Sequence, residues 1–282
     1  MKVEASKGAK CRSNIPRFKP FLKWAGGKSQ LLGEILPLIP SSFNKYVEPF
    51  LGGGALFFAL AHNPSIISDA NEELIITYIA IRDEVSAVIE ELKRFRNTKE
   101  LFYEVRAWDP SSLPSAKRAA RLIFLNKTCF NGLYRVNKNG VFNTPYGGNQ
   151  STKFLEGELL LEAHLALQNA RIISGDYKCI LQKYAKAGDL IFLDPPYKPV
   201  GRFSDFKRYT KERFHDNDHV ELARTFNDLV DRGRKVILTN SAHESIFELY
   251  MGYDCRVVNS KRLISSKVTT RNGKDLIVLG GF

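Results

Sequence analysis

Several residue types that define other protein classes are scarce in this chain of 282 residues. Its four cysteines, Cys11, Cys129, Cys179 and Cys255, are far apart and form no C-x-x-C pair. That scatter argues against a disulfide framework and against a zinc site, and it predicts free thiols in a reducing compartment. Among five scattered histidines, His215 and His219 have the i, i+4 spacing of a ligand pair. Because no third soft ligand is nearby, we interpret them as a solvated helix start.

Long apolar runs are also missing, since no stretch approaches the roughly 20 residues of a membrane span. The N-terminal stretch, residues 1–20, is basic and has no apolar segment of the kind found in a secretory signal. We therefore expect a cytoplasmic protein that does not enter a membrane.

Acidic residues are outnumbered, with 30 Asp and Glu against 42 Lys and Arg, which gives a net charge of +12. This excess favours a polyanionic partner, and nucleic acid ranks ahead of a membrane surface. Residues 91–150 hold eleven basic and four acidic side chains, so more than half of the net charge lies there. Aromatic side chains are interleaved with these basic ones, a combination typical of proteins that grip phosphates and stack bases. The alternative for Arg118 and Arg121 is a solvated helix face over an aromatic core.

The most unusual stretch is Asp194-Pro195-Pro196-Tyr197, which follows the apolar strand predicted for 190–193. Two prolines stiffen the turn and remove two N–H donors, so the strand exit presents a carboxylate, carbonyl oxygens and a ring. That set suits a flat group bearing an NH2, such as the exocyclic amine of adenine. A solvated Asp before a rigid loop is the alternative.

A second cluster begins with a short strand predicted from Tyr46, followed by Gly52, Gly53 and Gly54 and a helix over 56–61. The next predicted strand, 65–68, ends in Asp69, about 17 positions beyond Gly52 and near the usual spacing for an acid that holds ribose hydroxyls. These features predict an adenosine-containing ligand without separating a dinucleotide from S-adenosylmethionine. The earlier Gly27-Lys28-Ser29 lacks the first glycine of a phosphate-binding P-loop, because position 22 is Leu.

Periodicity predicts a regular alternation of helices and strands around these motifs. We expect helices over 31–36, 71–95 and 218–230, a strand over 171–177 that ends in an acid and an aromatic, a strand at 235–240, and a closing antiparallel pair at 255–258 and 275–279. Residues 130–147 predict a short hairpin with its tight turn at Asn139-Gly140. Of two basic connections, 198–214 predicts a loop beside the site. The other, 259–274, predicts either a phosphate-contacting arm, which the charge of the protein favours, or a solvated hairpin tip.

Taken together, these motifs resemble the Dam-type DNA adenine-N6 methyltransferases from residue 21 to the C-terminus. The resemblance is carried by Lys-Trp-Ala-Gly-Gly-Lys, Glu-Pro-Phe-Leu-Gly-Gly-Gly, Phe-Asn-Gly-Leu-x-Arg-x-Asn, Phe-Asn-Thr-Pro-Tyr-Gly and Asp-Pro-Pro-Tyr, in that order. It implies an α/β fold with a seven-stranded, Rossmann-like methyltransferase sheet and an inserted, mainly helical target-recognition domain. Residues 1–72 and 165–282 would form the catalytic domain, and 73–164 the recognition domain.

The resemblance also implies roles for individual residues. The catalytic residues would be Asp194, Pro195, Pro196 and Tyr197. S-adenosylmethionine, which leaves as S-adenosylhomocysteine, would be bound by Trp24, Lys28, Glu48, Phe50, Gly52, Gly53, Gly54, Asp69, Asp176, Tyr177 and Asp194. DNA would be contacted by Lys23, Phe130, Asn131, Gly132, Leu133, Arg135, Asn143 and Pro145, with Lys23 and Arg135 on bases and Phe130 and Leu133 wedged into the stack.

The expected function is methyl transfer to adenine N6 in double-stranded DNA, within GATC, after base flipping and without a metal. The expected partners are duplex DNA and, in the cell, a cognate restriction endonuclease, with the protein a monomer or a weak dimer on DNA. Two alternatives stay open. One is an amino-methyltransferase acting on RNA or protein glutamine, and the other is a catalytically silent DNA-binding protein on the same fold.

Overall fold

The computed structural model describes residues 18–198, 214–261 and 272–282. Seven strands form one sheet: β1 (Tyr46–Glu48), β2 (Ser65–Asp69), β3 (Ala170–Ser174), β4 (Leu190–Leu193), β5 (Lys235–Ser241), β6 (Asp254–Lys261) and β7 (Asn272–Gly280). Their order is β3-β2-β1-β4-β5-β7-β6. β1 to β5 are parallel, while β7 runs antiparallel between β5 and β6. The sheet predicted by the resemblance is confirmed.

Helices cover both faces of the sheet, as parallel strands require. They are α1 (Leu32–Ile35), α2 (Ala55–Leu60), α3 (Glu72–Lys93), α4 (Lys99–Ala107), α5 (Ser115–Thr128), α6 (Gly157–Leu167), α7 (Tyr177–Tyr184), α8 (Asp216–Asp231) and α9 (Glu244–Leu249). In β4, Leu190 and Phe192 join the core beneath α1 to α6, and Ile191 and Leu193 join the core beneath α7 to α9. This alternation follows from the two-residue period of a strand.

The helices α3 to α6 lie between β2 and β3 in the chain. α3 begins where the Asn71 side chain accepts the Leu74 N–H (3.1 Å), an N-cap that satisfies an otherwise free donor. The predicted continuous helix is interrupted at Glu84, whose φ of −135° is not helical. The core of this helical unit is continuous with the core on one face of the sheet.

Several local predictions needed correction. The helix predicted over 31–36 is one turn, Leu32–Ile35, followed by a 3-10 turn that carries Pro37. The predicted hairpin at 130–147 has only isolated bridges, Cys129 with Tyr146 and Val136 with Phe142. Its tight turn spans 137–140, where Gly140 N–H bonds the Asn137 carbonyl (3.0 Å). Polar residues there make bonds within the turn, and these replace a regular ladder.

The two basic connections fall mostly outside the described residues. Of the predicted arm, 259–261 and 272–274 belong to β6 and β7, and 262–271 lie outside the description. Residues 199–213 of the predicted site loop and 1–17 of the N-terminal stretch also lie outside it. Within the described ranges, no helix is both long and apolar enough to cross a bilayer. Cys129, Cys179 and Cys255 are free thiols.

Candidate active site and DNA-recognition face

The carboxyl ends of four neighbouring parallel strands meet at one edge of the sheet. β1 lies between β2 and β4, and the connections from β1 and β4 leave toward opposite faces. Ligands of open parallel sheets bind in the crevice at such a switch point. The chain places the glycine turn after β1, Asp69 at the end of β2, Asp176 after β3 and Asp194 after β4.

The glycine turn is shaped by Asp69. Gly52, at φ +48°, donates its N–H to Asp69 Oδ2 (2.9 Å), and Asn71 N–H bonds Oδ1 (2.9 Å). Burial raises the pKa of Asp69, and the backbone N–H groups of Gly52, Asn71 and Ala70 oppose that rise. A carboxylate has about four acceptor positions, so Asp69 keeps capacity for a ligand hydroxyl.

Trp24 lies directly against this turn. A Cβ placed on Gly52 would approach Trp24 Cδ1 to 2.8 Å, closer than such atoms come in proteins. The glycines therefore serve a packing role that the sequence did not reveal, because they admit the indole ring as well as a ligand.

An aromatic pair covers the side of the cleft formed by β1 and β3. The Phe50 and Tyr177 rings lie 4.9 Å apart at 33°, and Phe214 meets Phe50 edge-on at 6.2 Å. Asp176 caps α7 by accepting the Lys178 N–H (2.9 Å). Phe214 was missed by sequence reasoning, because a phenylalanine ending a long irregular segment carries no pattern.

Asp194 is the acid of the cleft that contacts a lysine and a hydroxyl. Lys28 Nζ lies 2.7 Å from Asp194 Oδ1, and Thr239 donates its hydroxyl to the same oxygen (2.7 Å). Lys28 Nζ also bonds the Gly26 carbonyl and stands 4.5 Å from the centroid of the Tyr197 ring. Burial raises the pKa of Asp194, and Lys28 and Thr239 act against that rise by stabilising the carboxylate.

A second acid is buried nearby at the end of β1. Glu48 is 2% exposed, and Tyr46 donates its hydroxyl to Glu48 Oε2 (2.9 Å). Burial raises the pKa of Glu48 well above its usual value, and Asp194 raises it further. The Asp194 carboxylate therefore disfavours ionisation of Glu48, and the lysine ammonium beside Asp194 favours Asp194 as the charged member of the two.

The end of β5 braces the strand exit that carries the tetrapeptide. Asn240 Oδ1 accepts the Lys198 N–H (3.3 Å), and the Ser241 hydroxyl bonds the Lys198 carbonyl (2.9 Å). Thr239, Asn240 and Ser241 are all buried, at 0%, 0% and 1% exposure. The strand pattern at Thr239 and Asn240 does not reveal this role, because these residues meet the strand exit only when β4 and β5 pair.

One cleft of about 250 Å3 gathers every residue predicted for catalysis or cofactor binding. They are Trp24, Lys28, Glu48, Phe50, Gly52, Gly53, Gly54, Asp69, Asp176, Tyr177, Asp194, Pro195, Pro196 and Tyr197. Their individual roles stay predictions. In the described part of the chain, no cluster of three His, Cys, Asp or Glu side chains has the arrangement of a metal site. His219, predicted to be solvated, is instead 4% exposed and packs edge-on against Phe214.

The predicted DNA-contacting residues lie outside this cleft and share a second surface, here called the recognition face. It comprises Lys23 and residues 130–145. Phe130 N–H bonds the Pro145 carbonyl (2.9 Å), so the two ends of the segment are adjacent. Lys23, Asn131 and Pro145 are exposed, and Phe130 is 52% exposed.

Within the recognition face, Arg135 and Leu133 differ in what they offer. Arg135 is half-buried, and Asn143 accepts its Nε–H (2.8 Å), which fixes the direction of the guanidinium. Leu133 is only 7% exposed, so of the two residues predicted to wedge into the base stack, Phe130 alone presents its side chain to solvent in this conformation.

Most basic side chains of 91–150 have partners that the sequence did not disclose. Ion pairs join Lys93 to Glu90, Arg94 to Glu91, Arg118 to Glu73 and Lys127 to Glu156. Arg121 is 5% exposed and donates to the Val105 carbonyl (3.0 Å) and the Arg106 carbonyl (3.0 Å). Phe124, Tyr134 and Phe142 are buried in the core. The aromatic core of the alternative is therefore present in these three rings, but its solvated helix face is wrong for Arg121, which is buried.

The chain is similar in sequence to known proteins over most of its length. Residues 24–264 match the model of the D12 class N6 adenine-specific DNA methyltransferase family. The chain belongs to this family. It is 41% identical to the type II methyltransferase M.MjaIII of Methanocaldococcus jannaschii, over 88% of this chain and 93% of that protein. It is 33% identical to a DNA adenine methylase of Vibrio cholerae, over 91% of this chain and 94% of that protein.

Family membership supports adenine-N6 methylation of DNA as the function and implies S-adenosylmethionine as the cofactor. It also implies that the substrate is DNA, in contrast to the alternative of an amino-methyltransferase that acts on RNA or protein. The Dam-type resemblance inferred from the sequence is confirmed by the family match and by relatives named DNA adenine methylase.

Proposed function

We propose that this protein methylates adenine N6 within GATC in duplex DNA, using S-adenosylmethionine and a target base flipped out of the helix. The observation that carries the proposal is the position of Asp194-Pro195-Pro196-Tyr197. This tetrapeptide lines the same cleft as the glycine turn and the strand-end acids. A nucleobase amine and an adenosine-containing cofactor can therefore be held side by side.

The residues at the switch point fit S-adenosylmethionine. The turn at Gly52 brings backbone close to a ligand, and Asp69 and Asp176 offer carboxylate oxygens at adjacent strand ends. Phe50 and Tyr177 provide an aromatic wall for a flat base. When bound, this cofactor supplies an electrophilic methyl group.

The tetrapeptide would hold the adenine by its amine and its ring. The Asp194 carboxylate and the Pro195 carbonyl each accept a hydrogen bond from one of the two N6–H groups, and Tyr197 stacks on the base. Oriented acceptors draw the N6 lone pair out of conjugation and aim it toward the methyl group, so positioning and electrostatics supply most of the rate.

The Lys28 ammonium contacts the Asp194 carboxylate and the Tyr197 ring, the two groups proposed to hold the adenine. It lies 2.7 Å from Asp194 Oδ1 and 4.5 Å from the Tyr197 ring centroid, where a cationic amine is stabilised by carboxylate and π-face together. In the proposed mechanism the Lys28 side chain withdraws when the base enters, and the adenine amine replaces its hydrogen bond.

Residues 73–164, together with Lys23, are proposed as the target-recognition unit. Arg135 suits a bidentate contact to guanine because Asn143 already orients its guanidinium. Phe130 is the exposed wedge beside Pro145, and Leu133 would enter the base stack only after the segment rearranges. Flipping a base costs a few kcal/mol, which contacts from such a wedge offset.

A transfer assay with tritiated S-adenosylmethionine tests the proposal. Duplexes with one GATC site, matched duplexes with the site scrambled, RNA and a protein mixture would be compared. We expect label in N6-methyladenine of the GATC duplex only. Equal labelling of the scrambled duplex would refute the site, and no labelling of any DNA would favour the catalytically silent alternative.

A further inference from the structure

Residues 23 and 24 face two different sites from adjacent positions in the chain. Trp24 lines the cleft and lies against the glycine turn, while the Lys23 side chain is exposed on the recognition face. A displacement of this dipeptide would therefore change the geometry of both the cleft and the recognition face. Three contacts tie it to the segment that follows α5.

The first contact is a ring stack. The Tyr134 ring lies 4.9 Å from the Trp24 ring, at an interplanar angle of 22°. Tyr134 is 5% exposed and is the immediate neighbour of Arg135. The indole is consequently held between the glycine turn of the cleft and the segment that carries the proposed guanine reader.

The second contact is made by Asn126, near the end of α5 and fully buried. Its Oδ1 accepts the Lys23 N–H (2.9 Å), and its Nδ2 donates to the Lys23 carbonyl (2.7 Å). The same Nδ2 also donates to the Gly132 carbonyl (3.3 Å). One buried amide thus bonds both backbone groups of Lys23 and the recognition segment together.

The third contact is the close approach of Lys23 to Gly132. Gly132 has a φ of +64°, and a Cβ there would lie 2.8 Å from Lys23 Cβ and Cδ. The lysine stem crosses the segment where only glycine leaves room.

We propose that Asn126 and Tyr134 are positioning residues that couple the cleft to the recognition face, so that cofactor and cognate DNA each strengthen binding of the other. A ligand that fixes Trp24 from the cleft side also fixes Tyr134 and Lys23. Cognate DNA that fixes Arg135 and Lys23 fixes Trp24 in return. Such coupling is reciprocal, because both ligands favour one arrangement of the same contacts. This inference rests on the proposed function.

The coupling is measured by titrating full-length protein with S-adenosylhomocysteine, with and without a saturating GATC duplex. For the wild type we expect the duplex to tighten cofactor binding by at least about fivefold, the lower end of typical coupling between sites. The duplex affinity measured with and without S-adenosylhomocysteine should change by the same factor.

Tyr134→Leu should reduce this factor to below about twofold, because it removes the stack without leaving a buried polar group of its own. Tyr134→Phe is the matched control, since it keeps the ring and loses only the hydroxyl, and it should retain the wild-type factor. Asn126→Asp should also reduce the factor, because a carboxylate replaces the donor to two carbonyls. A purely structural role would weaken binding of both S-adenosylhomocysteine and the duplex, and it would leave the coupling factor unchanged.

Two outcomes overturn the inference: a wild-type factor near one, or a full factor in Tyr134→Leu. Either result is distinct from failure of the proposed function, in which the wild type would bind no S-adenosylhomocysteine or label no DNA. Thermal unfolding of each variant identifies loss of folding. If Asn126→Asp does not fold, the comparison of Tyr134→Leu with Tyr134→Phe decides, and if Tyr134→Leu does not fold, the comparison of Asn126→Asp with the wild type decides.

Discussion

The cleft and the recognition face are built by different means, although they meet at Lys23 and Trp24. Cleft residues follow four paired parallel strands whose register places their ends together. The recognition face is held by isolated β-bridges, a few backbone hydrogen bonds and the contact of Arg135 with Asn143. The candidate catalytic groups are thus positioned by the sheet, whereas Lys23 and Phe130, two of the proposed DNA contacts, are exposed on the surface.

The largest expected effect comes from removing the carboxylate of the cleft. Asp194→Ala should lower the methyl-transfer rate by at least about 10³-fold, because it removes an oriented acceptor at the reacting amine. Binding of S-adenosylhomocysteine, followed by calorimetry, should change far less. Near-normal turnover of this variant would contradict the assignment of Asp194.

The next effect comes from the recognition face. Arg135→Ala should lower kcat/KM on a GATC duplex by about 10- to 100-fold, the discrimination that one bidentate contact provides. Activity on duplexes with one altered base should fall much less, so that site preference relaxes. Lys138→Ala is the matched control, because it removes one exposed positive charge from the same segment. If Arg135→Ala changed only cofactor affinity, its reader role would be wrong.

A smaller effect is expected at the residue that braces Asp194. Thr239→Val removes the hydroxyl that bonds Asp194 Oδ1 and should lower kcat by about tenfold, the value of one hydrogen bond to a charged group. Thr239→Ser keeps the hydroxyl and should stay close to wild type.

The pH dependence of kcat in Thr239→Val and Thr239→Ser gives a second test of this hydrogen bond. Burial already raises the pKa of Asp194, and the Thr239 hydroxyl lowers it by stabilising the carboxylate. Removing the hydroxyl raises that pKa further, so the carboxylate is protonated at higher pH. The acidic limb of the kcat–pH profile should therefore move to higher pH in Thr239→Val and stay in place in Thr239→Ser. A limb that moves down would contradict the assigned charge state.

The smallest effect separates exposed from buried apolar residues on the recognition face. Phe130→Ala should change the free energy of unfolding by less than about 0.5 kcal/mol, as expected for an exposed site. Leu133→Ala should cost about 2–4 kcal/mol, because Leu133 is buried. Chemical denaturation of the two variants gives both values, and equal costs would show that Leu133 is not part of the core.

The motifs of the sequence were sufficient to predict the cleft, and the reason is physical. Strand ends in a parallel sheet are marked by an apolar run followed by glycine or acid, as at Gly52, Asp69 and Asp194. Local pattern and sheet topology then bring such residues to one edge without further information. The family resemblance added Trp24, Lys28 and Tyr177, and these also line the cleft.

The sequence did not predict contacts between residues far apart in the chain. Thr239 bonds Asp194 across 45 positions, and Asn126 bonds Lys23 across 103. Neither residue belongs to a motif, since an interior Thr or Asn has ordinary composition and acquires its role only from what packs against it. The basic residues of 91–150 show the same limit, because acidic partners from other elements neutralise two of them, Arg118 and Lys127.

The sequence by itself therefore determined the strand-end acids, the glycine turn and the acceptor-bearing tetrapeptide, because these depend on strand periodicity and on turns encoded by neighbouring residues. The seven-stranded sheet followed from the family resemblance that the same motifs carry. Only the tertiary structure decided that Lys28 pairs with Asp194, that Arg121 and Leu133 are buried, and that Trp24 stacks on Tyr134. Those contacts depend on which side chains the packed core brings within a few ångströms, and no local pattern records that distance.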